Sequence, residues 1–133
     1  MSYAAAQYRS SQVHTASPAR VIVQFYDGAL KFIRLGSQAL IARDYAAKGM
    51  HLSRAHAIVT ELRVNLDPTR APELTAELDR LYDYILSCIT DANTKADEKL
   101  LVPAVNVLTQ LRGAWAQVAD EPAGSGVMVI GGP

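Results

Sequence analysis

The sequence predicts an all-α protein, an antiparallel up-down four-helix bundle with a short N-terminal arm and a flexible C-terminal tail. Apolar residues recur at spacings of three and four along four separate stretches, the period of a helix face. Each stretch is bounded by a capping residue, a proline or an asparagine. The links between stretches are short, which favours antiparallel neighbours. On this reading residues 1–16 are the arm, 17–119 the bundle and 120–133 the tail.

The chain has 133 residues, half of them hydrophobic, enough for one domain with its own core. Thirteen basic residues balance thirteen acidic ones, so the basic stripe of a nucleic-acid binder is missing. The single cysteine, Cys88, excludes an internal disulfide and a cysteine zinc cluster, and fits a reducing cytosol. Cys88 sits at a core-spaced position and reads as a small hydrophobe. The N-terminus has no cationic segment followed by an apolar run, so it does not read as a secretory signal. No stretch approaches the ~20 uncharged apolar residues that span a bilayer, so direct membrane insertion is not expected.

The arm is small and polar, with Tyr3, Tyr8 and Val13 as its main apolar anchors. Ser17-Pro18 then signals a helix start, serine as N-cap and proline at the first position. The first helix is expected from Pro18 to Arg43. It carries one stripe through Ile22, Tyr26, Ala29, Ile33, Gly36 and Leu40, and a second through Val21, Phe25, Gly28, Phe32, Leu35 and Ala39. Asp44 caps the second helix, which ends before Asp67-Pro68 and presents Leu52, Ala55, Val59, Leu62 and Leu66. The third helix is expected from Pro72 to Asn93 through Leu74, Leu78, Leu81, Ile85, Cys88 and Ala92, with Tyr82 and Ile89 broadening its face. The fourth is expected to start near Leu100, with Pro103 in its first turn, and to run to Ala119 through Leu101, Val105, Leu108, Leu111, Trp115 and Val118. Beyond it, Val127–Ile130 forms a short apolar patch.

The ordinary role of such stripes is core packing. The doubled face of the first helix exceeds what a bundle needs. Surplus apolar width implies a groove, covered by the arm or by a partner helix. Tyr26 lies on the core stripe, so its hydroxyl needs a partner. Asp27, charged within an apolar run, either faces solvent or pairs with the arm or a partner.

Catalysis finds no support. There is no phosphate loop of the GxxxxGK[ST] type and no glutamate followed three residues later by histidine, so neither nucleotide nor di-iron chemistry is indicated. His14, His51 and His56 do not form a ligand set; His51 and His56 are spaced as solvated helix residues. No cofactor and no metal is expected. A histidine phosphotransfer bundle would use His56, but its flanks lack a nearby lysine and glycine. A helical interaction module of some other system is the remaining alternative.

Several segments go beyond bundle logic. They are Tyr8, Val13-His14-Thr15-Ala16-Ser17-Pro18 and Phe25-Tyr26-Asp27-Gly28-Ala29-Leu30, then Glu61-Leu62 and Leu66-Asp67. They continue with Leu81-Tyr82-Asp83-Tyr84-Ile85, Ala92-Asn93 with Asp97, and Leu108, Leu111 and Ala114-Trp115. In this order the chain resembles the FliS family over about residues 8–118. It departs from the family at Ala71-Pro72, where a Gly-Gly pair is frequent, and at Pro103, where many relatives carry glutamate. The tail after Val118 lies outside the resemblance.

The resemblance implies a cytoplasmic, non-enzymatic four-helix bundle. Such a protein binds the C-terminal region of flagellin, prevents its premature polymerisation and delivers it to the flagellar type III export gate. It implies contacts from Tyr8, Val13, Tyr26, Asp27, Ile58, Leu62, Tyr82, Tyr84, Asn93 and Asp97. Exposed apolar surface makes the free protein a monomer or a weak homodimer.

Overall fold

A computed structural model describes residues 17–121. The arm residues Tyr8 and Val13 and the Val127–Ile130 patch lie outside them. Helix α1 spans Pro18–Ile41, α2 Tyr45–Val64, α3 Pro72–Lys95 and α4 Val102–Ala119, with a 3-10 turn at Glu98–Leu101 before α4.

Local signals fix the starts. The Ser17 hydroxyl accepts from the Arg20 amide at 3.2 Å, and Pro18 occupies the first turn, where its missing N–H is harmless. The Asp44 carboxylate accepts from the Ala47 amide at 3.2 Å. Asp67 orders the α2–α3 link by accepting from the Thr69 amide at 3.0 Å and its hydroxyl at 2.6 Å.

Two ends differ from the sequence reading, and the reason is the same. Helix α1 stops at Ile41 rather than Arg43, because Arg43 turns left-handed with φ 59°. Helix α3 runs to Lys95 rather than Asn93, and Ala96 closes it at φ 52°. The Asp97 amide then reaches back to the Ala92 carbonyl at 3.1 Å, satisfying a helix-end acceptor. Asp97 itself caps the 3-10 turn, accepting from the Lys99 amide at 3.0 Å. Helix α4 therefore begins at Val102, with Pro103 in the first turn, where it breaks no hydrogen bond.

The helices form a closed ring: α1 packs on α2 and α4, α2 on α3, and α3 on α4. The core joins Ile22, Tyr26, Ala29 and Ile33 to Leu52, Ala55 and Val59, to Leu78, Tyr82, Ile85 and Ile89, and to Leu101, Ala104 and Leu108. Gly36 brings α1 against α2, since a Cβ there would sit 2.5 Å from Leu52 Cδ2. The α3 face is the expected one through Leu78, Tyr82, Ile85, Cys88, Ile89 and Ala92, with two exceptions at its edge. Leu74 is exposed and Leu81 half-buried, whereas Thr75, Leu78, Tyr82, Ile85 and Ile89 face inward.

The second stripe of α1 is largely absorbed by α2. Phe32 stacks on His51 with centroids 6.2 Å apart, and Gly28 faces Ile58. Helix α4 is the shallow element: only Ala104 and Leu108 are fully buried, while Val105, Leu111, Trp115 and Val118 are half-buried. The surplus apolar surface thus lies along α4, not α1 alone.

Candidate partner-binding groove

A concavity of about 560 Å³ lies between α1 and the start of α4. Leu30 and Ile33 of α1 face Leu101, Val102 and Val105 across it, and Ile33 is fully buried at its floor. Val102 on the rim is 55% exposed. Asp27, Lys31, Arg34 and Glu98 give that rim charges of both signs. An apolar strip bordered by mixed charge suits an amphipathic segment, whose apolar side chains enter while its polar ones meet the rim.

Asp27 belongs to this rim and is paired within the bundle. The Arg112 guanidinium of α4 donates to it through Nε and Nη2, the latter at 3.4 Å. The carboxylate in turn holds the Arg112 guanidinium above its usual pKa. The pair ties α4 to α1, and a second exposed pair, Arg20 with Asp120 at 2.8 Å, does so at the other end. On the α2–α3 side Arg63 bridges Asp79 at 2.8 Å and Asp83 at 3.0 Å, drawing Asp79 below the ordinary carboxylate range.

Tyr26 and Tyr82 are inside the bundle and present no surface to a docked partner. Both rings are buried, and their hydroxyls share a hydrogen bond of 2.5 Å. Burial raises both phenols, with Tyr82 pushed up to about 12. For Tyr26 the neighbouring Tyr82 adds to the rise, and a hydrogen bond from Trp115 opposes it. Leu62 is likewise a core residue, and Ile58 is half-buried against Gly28.

The other suggested contacts lie elsewhere. Tyr84 on α3 is exposed, its phenol raised by its hydrogen bond with Cys88. The backbone carbonyl of Asn93 accepts from Lys48 Nζ at 3.2 Å, and Asp97 serves as the cap already described. Asn93 also borders a smaller polar slot of about 180 Å³ between α2 and α3, with Ser53, His56 and Thr90. His51, which read as solvated, is instead half-buried on Phe32, its Nδ1 without a hydrogen-bond partner among the described residues.

The structure therefore does not bring together the eight suggested residues that lie among those described. Asp27 alone of these eight lines this groove. Leu30, Val102, Val105, Lys31 and Arg34 also line the groove and were not among the suggested residues. The one sequence signal for such a groove was the surplus apolar width of the first helix.

The sequence model of the family described as "Flagellar protein FliS" matches residues 1–122. The chain belongs to the FliS family. It is 36% identical over 110 residues to the flagellar secretion chaperone FliS of Bacillus subtilis, covering 83% of this chain and 81% of that protein. It is 30% identical over 111 residues to FliS of Vibrio cholerae, covering 84% and 82%. It is 32% identical over 105 residues to FliSB of Pseudomonas aeruginosa, covering 79% and 83%. These FliS relatives are named as chaperones, a non-enzymatic role. Among the described residues of this FliS member, no helix is long and apolar enough to cross a membrane.

Proposed function

We propose that this chain is a cytosolic export chaperone that holds the C-terminal region of newly made flagellin and hands it to the flagellar export gate. The observation that carries the reading is the groove between α1 and α4, an apolar strip on the outside of a bundle whose relatives are secretion chaperones. A helix that packs only against its neighbours in a filament carries an apolar face that has no cover before assembly. The Leu30–Val102–Val105 strip offers a substitute for those neighbours, and no chemical step is required. Release at the export gate demands a reversible hold, which fits an interface of modest area with an exposed rim. The first contact is assigned to the groove. Ile58, Tyr84, Asn93 and Asp97, on other elements, are proposed as contacts of a partner long enough to extend beyond it.

Calorimetric titration with the flagellin C-terminal segment tests this reading. Saturable binding with a negative heat-capacity change, the mark of apolar burial, is expected. A flat titration against the cognate flagellin contradicts it.

A further inference from the structure

Charge is not spread evenly over the bundle. Residues 28–60, the later part of α1 and most of α2, hold Lys31, Arg34, Arg43, Lys48 and Arg54 against the single acid Asp44. Residues 61–121 hold the reverse, eleven acids against six basic residues. Asp44 is committed as the cap of α2, its carboxylate on the Ala47 amide at 3.2 Å. The ion pairs Arg20–Asp120, Arg63–Asp79, Arg70–Asp67, Arg80–Glu77 and Arg112–Asp27 engage none of the five cations. Lys48 instead donates to the Asn93 carbonyl at 3.2 Å.

The same run carries exposed apolar side chains. Lys31 of α1 and Arg54 of α2 lie over the Phe32 ring, 5.5 and 5.6 Å from its centroid, so they meet across the α1–α2 seam. Met50, one helical turn before Arg54, is 46% exposed. The link between the two helices carries Arg43, and Ile41 and Tyr45 flank it at 68% and 55% exposed. Positive charge and apolar exposure therefore coincide. The two concavities described above open elsewhere, between α1 and α4 and between α2 and α3. Unpaired cations spread over two helices and their link, with protruding apolar tips among them, match the boundary of an anionic lipid layer. There phosphates take the charge and the tips enter among the headgroups. Stacking on nucleic-acid bases is less well served, because Phe32 is half-buried beneath Lys31 and Arg54.

We infer that the outer side of the α1–α2 pair, with its link, docks peripherally on an anionic membrane surface. No helix crosses the bilayer; the contact is electrostatic, with Ile41, Tyr45 and Met50 as shallow apolar tips. Each cation near such a surface strengthens binding by about fivefold. The acid-rich remainder of the chain is repelled by the same surface, so the charge asymmetry also orients the approach. The docking does not depend on the client proposed above.

The test is flotation of the full chain, without flagellin, on vesicles of phosphatidylcholine alone and on vesicles with about one-third phosphatidylglycerol. Binding is expected only to the anionic vesicles, weakening as salt is raised. The Arg43→Gln/Arg54→Gln variant is expected to bind at least tenfold more weakly, at about fivefold for each cation. The Arg70→Gln/Arg80→Gln variant changes the net charge equally but lies outside the run, and it is expected to bind like the native chain. Absence of binding, or equal binding to both vesicle types, overturns the inference. Equal losses in the two variants overturn it too, since net charge rather than this surface would then be responsible. Binding that survives Arg43→Gln/Arg54→Gln but vanishes on deleting residues 2–12 overturns it in favour of the N-terminal arm. If vesicles fail while poly-glutamate or a single-stranded oligonucleotide binds in a manner that Arg43→Gln/Arg54→Gln abolishes, the surface serves an acidic protein or a nucleic acid and the inference is wrong.

Discussion

The hydroxyls of Tyr26 and Tyr82 meet 2.5 Å apart inside the bundle, joining α1 to α3 across the diagonal of the helix ring. Neither phenol has water to fall back on, so each is satisfied mainly by the other. Removing one hydroxyl leaves a buried polar group behind, which costs about 1–3 kcal/mol. Chemical denaturation is expected to show a loss for each single phenylalanine variant, with the double variant less damaged than the sum of the singles. Additive losses would show that the hydroxyls act independently.

The same pair sets an alkaline limit. Burial raises Tyr82 from 10.0 to about 12, and Tyr26 is raised as well. In the window between these values the folded state holds a proton that the unfolded chain has lost. Stability is therefore complete below about pH 10 and falls as pH rises toward 12. The loss across the window is about 2–3 kcal/mol for Tyr82 alone. Denaturation at pH 9, 10 and 11 measures it. The Tyr26→Phe/Tyr82→Phe variant is expected to lose the steep part of the fall, and an unchanged slope would assign that fall to other groups.

Helix starts and the central stripes were legible because each rests on local chemistry. Ser17-Pro18 and Asp44 announce themselves, and Tyr26 announced its need for a partner. Helix ends were not, because Arg43 and Ala96 adopt the left-handed conformation that sequence rules reserve for glycine and asparagine. On α3 the face was legible through Leu78, Tyr82, Ile85, Cys88, Ile89 and Ala92, and only its edge was not: Leu74 is exposed and Leu81 half-buried. The groove was illegible for a different reason. Its walls come from two helices far apart in sequence, and only packing reveals that Leu30 faces Val105.

Ala96 offers a stability gain. It is exposed and left-handed at the end of α3, so its Cβ adds strain without packing. Left-handed alanine costs roughly 1–2 kcal/mol, and glycine gives back part of that through its freer unfolded chain. Ala96→Gly is expected to raise stability by about 0.5–1 kcal/mol in denaturant titrations. A loss would mean that the left-handed closure of α3 is not populated in solution.

Gly36 offers the opposite. A Cβ there would lie 2.5 Å from Leu52 Cδ2, and Leu52 is fully enclosed, so it cannot swing away. Gly36→Ala is expected to destabilise by about 1–3 kcal/mol despite the better helix propensity of alanine. Combined with Leu52→Ala, its added cost should largely vanish, because the colliding side chain is gone. A full additive penalty would place α1 and α2 farther apart than described here.

The central claim is that the α1–α4 groove receives the flagellin segment, and Val102→Asp probes it most directly. Val102 is half-exposed and opens α4, where an aspartate is tolerated or even favoured by the helix dipole, so the fold should survive. Calorimetric titration of the flagellin C-terminal segment into the native chain and into this variant, with unfolding checked in parallel, is the decisive measurement. The expected result is a loss of affinity of tenfold or more with stability unchanged, since a charge would have to be buried against an apolar partner. Equal affinity for the two chains, with the variant folded, would contradict the assignment of flagellin to this groove.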